Sequence, residues 1–308
     1  MRRAIAAGFA LTLLSVASQA ATQAIVLSGL GGDPDYDHRF AEWNASATKA
    51  LQQLAGEANV VSLSGSRATA EALQKAVQQL SQKQQREDTV VVLLIGHGTW
   101  FGDEYRFNLA GPDLTGAQLK ALFDRLPAER QLVVNASSAS GAVAEAWKRP
   151  GRIVVTATKT GGERNATRFP QHFVEALSSD KADRDKDQVV TAAEAFAYAS
   201  GAVAEAFKAD ASMVTEHSRL EGGDAARLVV ARFGNAARNA DDPQLNALQT
   251  RQQAFEQELA TLKSRKGSIP EDAYYTSLEP VLLNIARLGD EREAREKQLG
   301  LTPTGGTP

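Results

Sequence analysis

The residues best suited to catalysis lie in two short segments, each directly after an apolar run. His97 stands between two glycines, in "GHG" (96–98), where the run "TVVVLLI" (89–95) ends. Serines crowd the second segment, "NASSASG" (135–141), at Ser137, Ser138 and Ser140. A histidine that takes the proton of a serine hydroxyl forms the base and nucleophile pair of acyl transfer. Glycines let the backbone approach a ligand closely, and N–H groups at a helix start can hold an oxyanion.

The elements that must position these residues follow a repeating pattern. From residue 23 to about 233, short apolar runs alternate with helical patterns, which predicts βα units around a mostly parallel sheet. Strands covered on both faces are predicted at 24–29, 59–65, 89–96, 131–136 and 152–158. The intervening helices are predicted at about 39–54, 69–85, 115–126 and 141–147. The fold class is therefore α/β, a three-layer sandwich whose site lies at the carboxyl ends of the strands.

The order of these segments resembles that of the caspase and legumain clan of cysteine peptidases, in particular its legumain-like bacterial branch. The resemblance covers roughly residues 23 to 225 and is carried by "GHG" (96–98), "GPDLTGAQL" (111–119), "SSASG" (137–141) and "GRIVVTATKTGGERNATRFPQHFVEAL" (151–177). It implies a caspase-like fold, no required cofactor, and a peptide or protein as substrate or partner.

Residue by residue, the resemblance assigns three roles and reveals one departure. His97 matches the general base, Gly98 the backbone donor of the oxyanion hole, and Ser138 stands where the family has its cysteine. The chain contains no cysteine at all. A cysteine can attack with help from a histidine alone, because an appreciable thiolate fraction exists near neutral pH. A serine needs a base whose imidazolium is stabilised by a third group, usually a buried carboxylate.

A candidate for that carboxylate lies in "DPDYDH" (33–38), which is similar to the Asn-Tyr-Arg-His segment of legumains. The match puts Asp35 at the position of the asparagine that orients the histidine. Asp37 then replaces the arginine of the specificity pocket, which gives an acidic pocket suited to lysine or arginine. The alternative is a polar loop in which the aspartates stabilise turns.

These residues leave three functions open. Replacement of the cysteine by Ser138 favours an inactive or weakened peptidase homologue that acts as a binding or scaffold module. An active serine-type hydrolase that uses Ser138 and His97 is the first alternative. The second is an envelope protein that binds a partner through its C-terminal helices.

The segment "DRDKDQVVTAAE" (183–194) has the oxygen-ligand spacing of an EF-hand loop and predicts a structural rather than catalytic Ca²⁺ site. Its predicted ligands are Asp183, Asp185, Asp187, the Val189 carbonyl and Glu194. Gln188 stands where the sharp turn of such a loop usually has glycine. The alternative is a solvated charged turn that caps the helix starting near Thr191.

The two ends of the chain differ from its centre. "MRRAIAAGFALTLLSVASQAA" (1–21) has the arginines, apolar run and small residues of a signal peptide, which predicts cleavage near Ala20 and a secreted or periplasmic bacterial protein. No later segment is apolar enough to span a membrane. The α/β domain is predicted at 21–235, and apolar residues at heptad spacing predict an antiparallel helical hairpin at 243–298, which offers a surface for a helix-mediated protein partner. Residues 299–308 are predicted to form a disordered tail.

Charge adds one exclusion to these predictions. The 34 basic and 37 acidic residues give a net charge of −3, so electrostatics give no reason to expect nucleic acid as a partner.

Overall fold

The computed structural model describes residues 20–238 and 242–300. Its strands are β1 (Thr22–Ser28), β2 (Val60–Leu63), β3 (Thr89–Ile95), β4 (Gly98–Phe101), β5 (Glu104–Phe107), β6 (Leu114–Thr115), β7 (Arg130–Asn135), β8 (Arg152–Thr156), β9 (Val189–Thr191), β10 (Arg219–Glu221) and β11 (Val229–Arg232). Its helices are α1 (Pro34–Ala55), α2 (Ala70–Lys83), α3 (Gly116–Phe123), α4 (Phe169–Ser178), α5 (Ala192–Ala209), α6 (Gly234–Arg238), α7 (Pro243–Ser264) and α8 (Glu271–Gln298).

The central sheet has the strand order β10-β8-β7-β3-β1-β2. Its pairings are parallel except for the edge strand β10, which runs antiparallel to β8. Because parallel neighbours need crossover connections, helices cover both faces of this sheet. Val91 and Leu93 of β3 pack with α1, α4 and α5, whereas Val92 and Leu94 pack with α2 and α3. The predicted three-layer α/β sandwich with a mostly parallel sheet is confirmed.

Helix α1 begins at Pro34, five residues before its predicted start at residue 39. The side chain of Asp33 accepts hydrogen bonds from the N–H groups of Asp35 and Tyr36, and Pro34 follows this cap. An aspartate cap and a proline in the first turn are standard helix-start signals. Asp35 and Asp37 therefore lie in the first turn of a helix rather than in a loop.

The helix predicted at 141–147 is replaced by a short 3₁₀ turn, Ser140–Val143. Ala139, which precedes it, has a left-handed backbone with φ of 55°. The N–H of Gly141, which would have no acceptor within such a helix, donates to the Thr158 hydroxyl at 2.8 Å.

Helices α7 and α8 form the C-terminal hairpin, with Leu245, Leu248 and Leu288 buried between them. Arg295, near the end of α8, donates to Asp242 at the start of α7 at 2.7 Å, which fixes their antiparallel arrangement. A partner for the hairpin stays a prediction. So does the division into domains.

The predicted signal peptide and tail fall almost entirely on residues 1–19 and 301–308, which lie outside the described residues. Among the helices that are described, none combines the length and the apolar character needed to cross a bilayer.

Candidate active site

His97 and Ser138 occupy equivalent positions after two neighbouring strands. β3 pairs in parallel with β7, with Leu94 opposite Asn135, and the two candidate residues each follow three positions later. Gly98 shows how closely these segments pack. A Cβ atom at Gly98 would lie 2.4 Å from the carbonyl oxygen of Ser138. The structure therefore brings the histidine segment and the serine turn together at the carboxyl edge of the sheet.

The imidazole of His97 is held by a backbone carbonyl. Its Nε2 atom lies 3.1 Å from the carbonyl oxygen of Gly31. The rings of Tyr36 and Phe40 meet it edge-on, with centroids 4.8 and 5.1 Å away. Desolvation by burial lowers the pKa of His97, and the Gly31 contact and the charge of Asp33 offset this only in part. A neutral ring that donates from Nε2 to Gly31 keeps Nδ1 as its basic nitrogen.

Asp37 fixes the loop that holds this histidine. Its Oδ1 atom accepts a hydrogen bond from the N–H of Gly31 at 2.7 Å. A Cβ at Gly31 would lie 2.3 Å from the backbone nitrogen of Asp37, so only glycine fits this close approach. Asp37, predicted in a specificity pocket, thus acts on His97 through the Gly31 backbone.

Asp35 is not brought to the imidazole. Its side chain is exposed in the first turn of α1, and within the described residues it forms no ion pair or hydrogen bond with His97. The position expected for a triad carboxylate is taken by the carbonyl of Gly31.

Ser138 is almost fully buried, with 2% of its surface exposed. Within residues 20–238 and 242–300, no hydrogen bond to its hydroxyl is found, and none joins it to His97. Ala139 follows it in the left-handed conformation, and the N–H of Ala139 donates to the carbonyl of Glu163 at 2.8 Å. A non-glycine residue held in that region is a local strain that surrounding contacts must maintain.

The hydroxyl groups of the other two serines of the turn, Ser137 and Ser140, form hydrogen bonds within the protein. The hydroxyl of Ser137 lies 2.7 Å from the Tyr105 hydroxyl and 2.8 Å from Oδ1 of Asn135. Burial raises the pKa of Tyr105 to about 12, so it is a neutral partner in this network. Ser140 pairs with the hydroxyl of Thr158 at 3.3 Å. Ser138 therefore carries the uncommitted hydroxyl of the turn.

Sequence reasoning missed the Tyr105 and Asn135 network below this turn. A weak signal was present, because Asn135 is a polar residue at the end of an otherwise apolar buried strand. Such a group is expected to have a hydrogen-bond partner. The partner itself lies 30 residues away, on β5.

The N–H of Gly98 does not bond across the ladder to β5. Asn108 donates to the carbonyl of His97 at 3.1 Å, so these two residues form a hydrogen-bonded antiparallel pair. The next pair, Gly98 and Phe107, is then of the non-hydrogen-bonded kind. The Gly98 N–H consequently points away from β5. Gly98 itself packs closely against the carbonyl of Ser138.

The predicted metal residues are brought together in part. Asp183, Asp185 and Asp187 each offer a carboxylate oxygen within 4.8 Å of the others. Glu194 does not join them, because its side chain accepts from the N–H groups of Arg184 and Thr191 at 3.0 and 2.9 Å.

Comparisons with known proteins return solved structures alone. No family model matches the sequence, and no curated protein matches it. The chain resembles drICE at 13% identity and a TM-score of 0.41, over 68% of this chain and 90% of that one. It resembles caspase-1 from Spodoptera frugiperda at 14% identity and a TM-score of 0.45, over 66% and 86% of the two chains. It resembles the Drosophila initiator caspase Dronc at 12% identity and a TM-score of 0.41, over 66% of this chain and 79% of that one.

Structural similarity at these identities and TM-scores supports no conclusion about activity. The function is therefore inferred from the geometry of the site. Assignment to a legumain-like branch, and the replacement of an ancestral cysteine by Ser138, stay predictions.

Proposed function

We propose that this protein is a peptidase homologue that binds a peptide or protein segment at the edge formed by His97 and Ser138, and hydrolyses it weakly or not at all. The observation that carries the proposal is the contact between His97 Nε2 and the carbonyl of Gly31, in the place where a serine triad needs a carboxylate. Because residues 1–21 have the features of a signal peptide, we infer that the protein acts after export.

The chemical reason is the charge that forms during attack. When His97 takes the hydroxyl proton of Ser138, the imidazolium must be stabilised. A neutral carbonyl supplies a dipole but no negative charge, and impairing the carboxylate of a serine triad lowers kcat by about 10⁴-fold. Burial lowers the pKa of His97 and so disfavours the protonated ring still further. Attack by the Ser138 hydroxyl is therefore expected to be slow.

Binding is supported by exposed apolar side chains on three segments that are connected to this edge of the sheet. Leu30 precedes Gly31, Phe101 ends the strand that starts at Gly98, and their exposed fractions are 40% and 88%. Met213, 84% exposed, lies in the segment that reaches Glu163 through His217 at 2.7 Å. The carbonyl of Glu163 in turn accepts from Ala139 in the serine turn. An extended peptide with apolar side chains suits this rim.

An active serine hydrolase is the second candidate, and one observation favours it. The Ser138 hydroxyl has no competing partner among the described residues, and it sits beside the left-handed Ala139. A free hydroxyl on a strained turn is the usual setting of a nucleophile.

The deciding experiment measures peptide binding, cleavage and fluorophosphonate labelling on the mature chain. We expect peptides to bind, with no labelling and little cleavage, and Ser138→Ala to retain the binding. Ser138→Cys should gain cleavage, since a thiolate needs less help from Nδ1 of His97. Ser137→Ala serves as the control for loss of a nearby hydroxyl.

Two outcomes would contradict the proposal. Multiple turnover that disappears in both Ser138→Ala and His97→Ala would establish the hydrolase instead. Failure of a peptide library to bind the folded protein would remove the binding function.

A further inference from the structure

The loop between α4 and α5 gathers three carboxylates at one point. Asp183 and Asp187 are buried, with 3% and 7% of their surfaces exposed, and Asp185 lies between them in the sequence. One oxygen from each lies within 4.8 Å of the other two. Calcium binds oxygen at about 2.4 Å, so two ligands on opposite sides of one ion are about 4.8 Å apart. The spacing of the three oxygens is therefore compatible with one ion in contact with all three aspartates.

An unpaired buried oxygen points independently to a ligand. Oδ1 of Asp183 is buried and has no hydrogen-bond partner among residues 20–238 and 242–300, whereas its Oδ2 accepts from the N–H of Gln188 at 3.0 Å. Leaving a charged oxygen buried without a partner is costly. Since this oxygen belongs to the three-aspartate group, a cation held there would satisfy it.

The Val189 carbonyl is free to supply a fourth ligand. Phe233 donates to the carbonyl of Gln188 at 2.8 Å, which makes those two residues a hydrogen-bonded pair of the ladder between β9 and β11. Val189 and Arg232 are the next pair, of the non-hydrogen-bonded kind. The Val189 carbonyl thus points away from β11.

Gln188 takes the backbone conformation that an EF-hand loop usually gives to glycine. Its φ is 69°, in the left-handed region. The side chain holds it there, because Oε1 accepts from the N–H of Asn235 at 2.7 Å and lies 2.6 Å from the position that a Cβ of Gly234 would take. The absence of glycine at this position is therefore compatible with the turn.

We propose that Asp183, Asp185, Asp187 and the Val189 carbonyl bind one Ca²⁺ ion, and that Glu194 shapes the loop without binding the ion. Glu194 caps α5 through the N–H and hydroxyl of Thr191, both at 2.9 Å. Hard oxygen ligands of this number, completed by water, suit Ca²⁺, and Mg²⁺ demands a stricter octahedron.

Calcium titration of the full mature chain tests the site, by calorimetry and by Tb³⁺ luminescence. We expect a dissociation constant between about 10⁻⁶ and 10⁻³ M. Asp185→Asn, an exposed change that leaves the fold intact by circular dichroism, should weaken binding at least tenfold. Asp180→Asn, an exposed aspartate just before the loop, is the matched control and should leave the affinity unchanged. No binding at millimolar Ca²⁺, or equal affinity in Asp185→Asn, would overturn the site.

Three further measurements separate the parts of the proposal. Glu194→Gln should change Ca²⁺ affinity less than threefold, and a tenfold loss would make Glu194 a ligand. Equal affinity for Mg²⁺ would overturn the assignment to calcium. Chelation should lower the melting temperature of the calcium-loaded protein, and an unchanged melting temperature would overturn the structural role of the ion. The peptide proposal shares no residue with this site and would survive its failure.

Discussion

The Nε2 atom of His97 and the carbonyl oxygen of Gly31 lie 3.1 Å apart, and this contact determines what the site can do. A donor at Nε2 makes Nδ1 the acceptor and fixes the tautomer of the neutral ring. The contact depends in turn on Asp37, whose carboxylate holds the N–H of Gly31. A chain of two hydrogen bonds therefore runs from a helix start to the base.

The first prediction concerns the tautomer of His97. Asp37→Ala frees the N–H of Gly31 and should weaken the preference for protonated Nε2, whereas Asp37→Asn, which keeps an acceptor, should retain most of it. The ¹⁵N shifts of the imidazole report the tautomer directly. Asp35→Asn is the matched control, one exposed carboxylate of the same helical turn. A loss of preference in Asp35→Asn equal to that in Asp37→Ala would restore Asp35 as the partner of the histidine.

The second prediction compares the effects on stability of replacing two adjacent serines, Ser137 and Ser138, by alanine. Ser137→Ala removes hydroxyl hydrogen bonds to Tyr105 and Asn135 inside the protein, so it should lower the free energy of unfolding by about 1–3 kcal/mol. Ser138→Ala removes a hydroxyl that has no partner among the described residues but retains contact with solvent, and should leave stability unchanged. Urea denaturation measures both. Equal losses would mean that the Ser138 hydroxyl has a structural partner.

The proximity of the His97 segment to the serine turn could be predicted from sequence, because two buried neighbouring strands carry them. Apolar, β-branched runs predict parallel neighbours, and residues at their carboxyl ends must then share one edge. The start of α1 was also readable, since Asp33 and Pro34 form a recognisable helix cap.

The oxygen that holds His97 could not be predicted, because every residue has a backbone carbonyl and only the folded loop selects Gly31. The same holds for Gln188, whose left-handed backbone depends on Asn235, 47 residues away. Side-chain types signal chemistry in a sequence, whereas backbone groups and long-range anchors become visible only when the chain is folded.

The third prediction tests the packing of the histidine segment on the serine turn. In Gly98→Ala the new methyl would overlap the Ser138 carbonyl and the Tyr105 ring, at 2.4 and 2.6 Å. Because one obstacle is backbone, the segments must move apart, at a cost of about 1–3 kcal/mol. Gly201→Ala is the matched control: nothing lies within 4 Å of its Cβ, and in the middle of α5 it should stabilise the fold by about 1 kcal/mol. A Gly98→Ala protein as stable as the parent in urea would show that the two segments are not in contact.

The last prediction concerns the buried side chain of Glu216. Its carboxyl oxygens accept hydrogen bonds from the N–H groups of Arg168 and Phe169, at the start of α4, at 2.7 and 2.9 Å. Burial raises its pKa to about 7; those two N–H groups and the charge of Arg168 oppose the increase, and the charge of Glu163 adds to it. The folded protein holds this proton more tightly than the unfolded chain, in which a glutamate has a pKa of about 4.3. The stabilisation that the protonated Glu216 contributes is therefore complete below about pH 4.3 and is lost as the pH rises to about 7. The free energy of unfolding of the parent minus that of Glu216→Gln should fall over this window, by on the order of 3–4 kcal/mol. Urea denaturation of both proteins at a series of pH values measures the difference, and Glu71→Gln, an exposed change in α2, should show no such fall. A difference that rises with pH would mean that the backbone N–H groups outweigh desolvation and that Glu216 caps α4 as a carboxylate.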